Sequence, residues 1–286
     1  MPSTPSLLDS YLRWWRMSGH AEATGENYVR QIRRFSKTIG GEHLLPTVQR
    51  HQLEAYVSDR MSEVSPDAAT YDVRAFKSFY GWLHAEEEID YNPASKLKHP
   101  KVDEPPVAVA VETDYRRMLA VCDRKSKLGR RNAAIIGIFW STGMRRGELV
   151  GLDADDVDLN SRTARIARTK TGKPRTVPLS DECIQLLDRW LRKRGSGPGP
   201  LFLGRTGKRL SSNAVGQMFS NVATDAGVDV TSHAFRRALA TRWLAADGSE
   251  TGLQAVAGWT STRMVSRYTR MNAEELAQDE YRRLFG

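Results

Sequence analysis

Cysteine is scarce in this sequence, and long apolar runs are absent. Cys122 and Cys183 are the only cysteines among 286 residues, and neither has a second Cys or His at metal-ligand spacing. A disulfide framework and a zinc site are therefore not expected, and the protein suits a reducing interior. The longest apolar stretch, 133–140, is too short to span a bilayer. Residues 1–10 lack the pattern of a signal peptide, so we predict a soluble cytoplasmic protein.

An acidic balance is also lacking, and the basic excess is uneven. The formal net charge is +9. Residues 1–100 carry 12 Lys and Arg against 13 Asp and Glu, whereas 101–286 carry the other 31 against 21. A charge that served only solubility would not need this asymmetry. We therefore expect a polyanionic partner that is bound mainly by the second part of the chain.

Apolar residues at helical spacing dominate residues 1–92. Four amphipathic segments are separated by short breaks, and Thr47 and Ser65 are the predicted caps of the third and fourth helices. The inward side chains of these two helices are predicted to be Leu53, Tyr56, Val57 and Met61, then Tyr71, Val73, Phe76, Phe79, Tyr80 and Leu83. Four helices with short connections predict a compact bundle.

Proline and charge interrupt this pattern over residues 93–110, which disfavours both a helix and a core strand and predicts a linker. Residues 111–286 predict a mainly helical domain with a small β-hairpin. Its strands are 164–167 and 175–179, around a turn at 170–174 that contains Gly172. Its helices are predicted at 112–123, 131–141, 180–194, 211–226, 233–246, 251–257, 261–270 and 273–284.

Arg145 follows the most apolar of these helices, in the segment Thr-Gly-Met-Arg-Arg-Gly-Glu-Leu. An unpaired charge near a core costs several kcal/mol, and Glu148, three residues on, can hold the guanidinium. These residues alone leave two alternatives, an internal Arg–Glu pair and an anion-binding arginine. The neighbouring Arg146 is expected to face solvent.

His233 and Arg236 lie one helical turn apart, so both side chains can reach the same ligand oxygens. Thr231 precedes them as a predicted cap, and a helix N-terminus itself favours an anion. A surface pair is the alternative. Lys170 and Lys173 share the predicted hairpin turn, where most lysines are simply solvated.

Together these segments resemble the tyrosine recombinases, the family of phage integrases and Xer recombinases. The resemblance rests on 142–148, on 169–179, on 233–236 and on Trp259 and Tyr268 in that order. It covers nearly the whole chain. It implies a two-domain DNA clamp with a helical core-binding domain over 1–92, a linker over 93–110 and a mixed α/β catalytic domain over 111–286.

The resemblance implies that DNA is cleaved and rejoined through a covalent 3′-phosphotyrosine, without metal or cofactor.

Trp259 stands where the family usually has histidine. An indole N–H donates a hydrogen bond but exchanges no proton, so Trp259 is expected to bind and pack. Tyr281 is a weaker candidate for the nucleophile. The implied catalytic residues are Arg145, Lys170 as general acid, His233, Arg236, Trp259 and Tyr268 as nucleophile, with Glu148 in support. The expected DNA contacts are Lys98, Lys173, Arg175 and Arg267.

The implied partner is double-stranded DNA at short core sites, bound by a homo-tetramer on synapsed DNA. The free protein is expected to be a monomer. A directionality factor is an optional further partner, and no membrane is involved.

Because the predicted helices begin near residue 6, no arm-binding domain is expected before them. A phage or mobile-element integrase, in the cytoplasm and at the nucleoid of a bacterial or phage-infected cell, is our first expectation. The alternatives are a Xer-type resolvase, a type IB topoisomerase and a catalytically idle DNA-binding relative.

Overall fold

The computed structural model describes residues 6–100, 109–167, 174–195, 197–259, 265, 278, 281–282 and 284–285. Its contacts divide the chain into two units, Met1–Pro105 and Pro106–Gly286. The described residues form mainly helices, with a single small sheet in the second unit. The predicted fold class is therefore confirmed.

The first unit is a four-helix bundle. Its helices are α1 (Leu7–Met17), α2 (Glu22–Thr38), α3 (Arg50–Glu63) and α4 (Pro66–Ala85), with a short 3-10 helix at Glu42–Thr47. Helix α2 packs against α1 and α4, and α3 packs against α4. The core is aromatic-rich, and its fully buried rings include Tyr11, Phe35, Phe76, Phe79 and Tyr80. Edge-to-face contacts such as Phe35–Phe76, with ring centroids 5.0 Å apart, help to fix this packing.

Some sequence predictions for this unit were wrong. Thr47 ends the 3-10 helix rather than capping α3, which begins after Gln49. Met61 and Tyr71 are exposed, not inward. Their positions satisfy helical spacing, but no neighbouring element covers their side chains. Ser65 caps α4 as predicted, because its hydroxyl accepts from the backbone N–H of Ala68.

The predicted linker contributes side chains to both cores. Ala94 and Leu97 are buried in the core of the first unit, and Ala110 is buried in that of the second. Two apolar residues three positions apart inside a proline-rich and basic segment gave too weak a pattern to predict this burial.

The second unit contains seven helices and three strands among its described residues. The helices are α5 (Glu112–Ala120), α6 (Lys127–Thr142), α7 (Arg146–Gly151), α8 (Asp181–Arg194), α9 (Ser212–Asp225), α10 (Ser232–Ala245) and α11 (Glu250–Ala257). The strands are β1 (Val157–Asp158), β2 (Thr163–Ile166) and β3 (Arg175–Pro178), and a 3-10 turn lies at Ala154–Asp156. No helix in the described part of the chain is long and apolar enough to cross a membrane.

The three strands form one antiparallel sheet in the order β1-β2-β3. The β2–β3 pair runs from Thr163 opposite Pro178 to Ile166 opposite Arg175. Ala164 and Val177 are paired in the middle and buried on the inner face. The sheet therefore brings Arg175 to the end of the hairpin where the connection between the two strands begins.

Helix α6 is the centre of the second unit, with α8 and α10 packed against it. The ring of Phe235 in α10 lies 5.2 Å from that of Trp140 and 5.1 Å from that of Phe219, both in edge-to-face geometry. These contacts anchor the first turn of α10. They thereby fix the places of His233 and Arg236, which lie two residues before and one residue after Phe235.

Candidate active site

The candidate site begins where α6 gives way to α7. Gly143 ends α6 in a left-handed conformation, with φ +57°, which glycine adopts at little cost. Arg145 follows and directly precedes α7. Its backbone N–H donates to Glu148 Oε2 at 2.8 Å, and its Nη1 donates to Glu148 Oε1 at 3.0 Å. The expected ion pair between the two residues is present, and the Arg145 side chain remains 29% exposed to solvent.

Glu148 is held by a second arginine from the sheet. The side chain of Glu148 is 3% exposed, and each of its oxygens accepts from one terminal nitrogen of Arg175 at 2.9 Å. Burial raises the pKa of this carboxyl, but the hydrogen bonds from Arg175 and from the Arg145 backbone, together with both positive charges, outweigh it. The pKa of Glu148 is therefore lowered, and the carboxylate stays ionised between two arginines.

Arg236 is a buried arginine, 6% exposed, that joins the ends of two helices. Its Nη1 donates to the carbonyl oxygen of Gly143 at 2.8 Å, and its Nη2 donates to that of Ala257 at 2.6 Å. These carbonyls lie at the C-terminal ends of α6 and α11, where helix dipoles favour a cation. The guanidinium carbon also lies 5.2 Å from the centre of the Trp259 ring, within cation–π range.

His233 lies at the start of α10, which Thr231 caps by accepting from the backbone N–H of Ala234. The residue reaches solvent. Partial burial of the ring lowers the pKa of His233, and the positive charges of Arg146, Arg236, Arg237 and Arg145 lower it further. His233 is therefore a neutral imidazole at neutral pH, surrounded by arginines.

Trp259 is buried in a small cluster with Ala240, Leu244, Leu253, Ala257 and Val265. Its backbone N–H donates to the carbonyl oxygen of Gln254 at 3.1 Å. Gly258 precedes it with φ +63°, in the left-handed region. The chain thus turns sharply after α11 and brings the indole beside Arg236.

Arg146 was predicted to face solvent. Its side chain is instead half-buried. It lines a cavity of about 310 Å³ between α9 and the start of α10, together with His233 and Asp229. A Cβ atom added to Gly216 of α9 would lie 2.2 Å from Arg146 Nη1. A glycine inside a predicted helix was the one signal in the sequence for such a close approach.

The other predicted residues divide into three groups. Arg175 has internal contacts to Glu148 and to the carbonyl oxygen of Val256, an environment unlike the one expected of a DNA contact. Lys98 is exposed in the first unit. The remainder lie outside the described residues, namely Lys170, Lys173, Arg267 and Tyr268. No group of three or more His, Cys, Asp or Glu side chains within the described ranges is arranged to hold a metal ion.

The structure therefore brings Arg145, His233, Arg236 and Trp259 into one basic cluster, built from the junctions of α6 with α7 and of α11 with the chain that follows, and from the first turn of α10. Among solved structures, a lambda integrase(75-356) dimer bound to a COC′ core site matches with a TM-score of 0.76 and 18% identity, over 92% of this chain and 94% of that one. The Tn1549 transposon integrase in complex with transposon right end DNA matches with a TM-score of 0.73 and 21% identity, over 99% and 100%. These likenesses show the fold.

Comparison of sequences goes further. The phage integrase family matches residues 110–275. Tyrosine recombinase XerC of Chromobacterium violaceum is 34% identical over 209 residues, which are 71% of this chain and 69% of that protein. XerC of Salmonella typhi is 28% identical over 264 residues, 89% and 87% of the two chains. The chain therefore belongs to the phage integrase family. It is a tyrosine recombinase, a site-specific enzyme that breaks and rejoins DNA strands.

Proposed function

We propose that this recombinase attacks the scissile phosphate of a duplex DNA core site with Tyr268, while Arg145, His233, Arg236 and Trp259 hold that phosphate. The observation that carries the proposal is the convergence of these four side chains, which come from three separate segments of the second unit. Tyr268 lies nine residues after Trp259 and within the segment that matches the family.

The proposed chemistry follows from the charges of the cluster. A phosphodiester gathers negative charge on its non-bridging oxygens as the phenolic oxygen attacks, and guanidinium groups donate to such oxygens while staying charged at any working pH. Glu148 fixes the Arg145 guanidinium from one side, and two helix-terminal carbonyls fix that of Arg236. Donors fixed before the reaction stabilise the transition state without a further cost of reorganisation.

Proton transfer is assigned to two residues. The neutral imidazole of His233 is suited to hydrogen-bond the phosphate or to accept the proton of the Tyr268 phenol. The 5′-oxygen leaves as the phosphotyrosine bond forms, and it needs a proton, for which Lys170 is the proposed donor. Lys170 lies in the connection between Ile166 and Arg175, which are paired across β2 and β3.

A Xer-type role is favoured over the integrase role that we expected first. The support is the XerC relatives, which match up to 89% of this chain. A Xer-type enzyme recombines two copies of one site on a circular dimer and so separates the dimer into monomers. The same proposal has three further parts. The partner is DNA at core sites, the active assembly is a tetramer on synapsed DNA, and the location is the nucleoid.

The test begins with selection of a binding site from a random duplex library, followed by a nicked suicide substrate built on that site. Wild-type protein should leave a protein-linked DNA fragment on a denaturing gel, and Tyr268→Phe should leave none. Tyr281→Phe is the matched control, since this exposed tyrosine should be dispensable. An adduct that survives Tyr268→Phe and disappears with Tyr281→Phe would transfer the nucleophile to Tyr281.

The arginines and the biological role need separate assays. Arg145→Ala and Arg236→Ala should abolish the adduct while leaving binding of the selected duplex largely intact, because many other contacts hold the DNA. A dimeric plasmid with one selected site in each half should be resolved to monomers. Relaxation of a supercoiled plasmid that lacks the site would instead indicate a topoisomerase, and binding without any adduct would indicate an idle relative.

A further inference from the structure

We infer that Arg175 is a positioning residue for strand cleavage, which acts through Glu148 on Arg145 and does not contact DNA. The inference rests on the proposed function, because it assigns a task to a residue behind the proposed phosphate-binding arginine. The sequence had suggested a DNA contact for the same side chain.

The contact between Arg175 and Glu148 is a two-pronged ion pair. Nη1 reaches Oε1 and Nη2 reaches Oε2, each at 2.9 Å. The arginine side chain is 11% exposed and that of the glutamate is 3% exposed. Parallel bonds of this kind set the plane of the carboxylate as well as its position. The same two oxygens then receive the backbone N–H and Nη1 of Arg145.

Arg175 also holds the end of α11. Its Nε donates to the carbonyl oxygen of Val256 at 3.0 Å. Gly258 lies so close that a Cβ atom there would come within 2.7 Å of the Arg175 Cζ. Trp259 follows directly. One side chain of β3, the strand that follows Lys170 in the sequence, therefore contacts α7 and the end of α11 that precedes Trp259.

This arrangement makes the position of Arg145 depend on Arg175. Glu148 is too deeply buried to be solvated, so loss of one arginine leaves a poorly compensated negative charge. The charged groups that face its carboxylate are Arg145, directly before α7, and Arg175 on β3. Without Arg175, burial dominates and Glu148 takes up a proton more readily. A protonated Glu148 no longer holds the Arg145 guanidinium through an ion pair.

Two other roles for Arg175 lead to different results. A DNA-phosphate contact needs mainly positive charge, so Arg175→Lys would restore it. A role in stability alone would lower the amount of folded protein but would not change the cleavage rate of the molecules that remain folded. A positioning role needs the planar fork of donors that lysine lacks. In that case the decrease in cleavage rate should depend on pH, because it acts through Glu148.

The experiment compares Arg175→Met and Arg175→Lys with Arg131→Met as the matched control. Arg131 is a buried arginine on α6 that donates from Nη1 to the carbonyl oxygen of Leu203 at 3.0 Å. Single-turnover adduct formation on the suicide substrate is measured at several pH values, alongside duplex binding and the Tm. Glu148→Gln, alone and combined with Arg175→Met, completes the set.

We expect Arg175→Met to slow adduct formation by about 100-fold, a loss that a displacement near 1 Å in an active site can cause, with duplex binding largely retained. The ratio of its rate to the wild-type rate should rise with pH as Glu148 ionises again, and this rise should vanish in the double variant. Arg175→Lys should not restore the rate. Arg131→Met should lower the Tm without changing the rate of the folded fraction.

Several results would overturn the inference. They are a wild-type rate in the folded fraction of Arg175→Met, full recovery with lysine, a loss of cleavage matched by an equal loss of binding, and a rate ratio that does not change with pH. Each presupposes an adduct with wild-type protein. Failure of the wild type itself to form that adduct would instead contradict the proposed function.

Discussion

Arg236 donates from Nη1 to the carbonyl oxygen of Gly143 at 2.8 Å, and 93 positions in the sequence separate the two residues. Gly143 belongs to the same segment as Arg145, two residues before it. The two arginines proposed to bind phosphate are therefore held through one short stretch of backbone at the end of α6. A change in the conformation of Gly143 should consequently disturb both.

Gly143→Ala should destabilise the second unit and slow cleavage. A residue with a Cβ atom pays about 1–2 kcal/mol in the left-handed region. The new Cβ would also lie 3.0 Å from Leu239 Cδ2 and 3.2 Å from Arg236 Cα, which presses on α10. Urea denaturation should show a lower free energy of unfolding, and adduct formation should fall further than the folded fraction does.

The matched control for this substitution is Gly81→Ala in α4, where an added Cβ would meet nothing within 4 Å. Alanine inside a helix is favoured over glycine by about 0.5–1 kcal/mol, so this variant should be slightly stabilised and should cleave normally. Equal stability of the Gly143→Ala and wild-type proteins would contradict the strain that we assign to position 143.

Local relationships were predictable from the sequence. Glu148 lies three residues after Arg145, and this spacing was enough to offer their ion pair as one of two alternatives, which the structure contains. The bounds of most helices followed from apolar periodicity and from caps such as Ser65. The α5 prediction was too long because the helix ends at Ala120, where no glycine or proline marks its end.

Relationships between distant segments were not predictable in this way. Arg175 lies 27 residues from Glu148 and 81 from Val256, and no periodicity records such pairs. A basic residue beside a predicted hairpin turn suits a DNA contact equally well on sequence alone. Arg146 was misplaced for a similar reason, since its packing partner Gly216 belongs to α9.

His233 should titrate below its ordinary value of 6.5 in the free protein. Partial burial and the four nearby arginines all disfavour the imidazolium form. The folded protein then binds this proton less tightly than the unfolded chain does, so this group's contribution to stability is present above pH 6.5 and is lost as pH falls. NMR titration of the imidazole, assigned with His233→Gln, measures the midpoint directly.

The same linkage provides a second check on His233. The Tm of the wild type should fall more steeply than that of His233→Gln as the pH drops below 6.5. A midpoint above the ordinary value would mean that an acidic neighbour outweighs the arginine cluster. That result would remove the neutral imidazole from the proposed mechanism.

Asp72→Asn should stabilise the first unit at neutral pH. The Asp72 side chain is 1% exposed, and its Oδ2 lies 3.5 Å from Arg60 Nε. Burial raises the pKa of Asp72, and the charges of Arg60 and Arg34 only partly oppose this. The folded state therefore binds the proton more tightly than the unfolded chain, and stability falls as pH rises above the ordinary value of 3.8.

Asparagine imitates the protonated form, so the gain in Tm from Asp72→Asn should be largest near neutrality and should shrink as the pH approaches 3.8. Asp59→Asn is the control, because it removes an exposed carboxylate from α3. A variant that loses stability most at neutral pH would mean that the ion pair with Arg60 outweighs the cost of burying the carboxylate.

Two substitutions of Trp259 distinguish its role in packing from its role as a hydrogen-bond donor. The centre of its ring lies 5.2 Å from the guanidinium carbon of Arg236. The ring also packs in the buried cluster that includes Val265. Trp259→Phe keeps an aromatic face for the cation but removes the indole N–H. Trp259→Ala removes both and should cost about 3–5 kcal/mol of folding free energy, as large-to-small core changes do.

If the N–H donates to a phosphate oxygen in the transition state, Trp259→Phe should slow adduct formation by about 100-fold or more, the usual effect of losing one such donor. Its Tm should stay far closer to that of the wild type than the Tm of Trp259→Ala does. Trp259→His restores a donor and should recover part of the rate, now with a dependence on pH that tryptophan does not confer. Wild-type cleavage by Trp259→Phe would limit the indole to packing against Arg236, and the phosphate would then be held by Arg145, His233 and Arg236 without it.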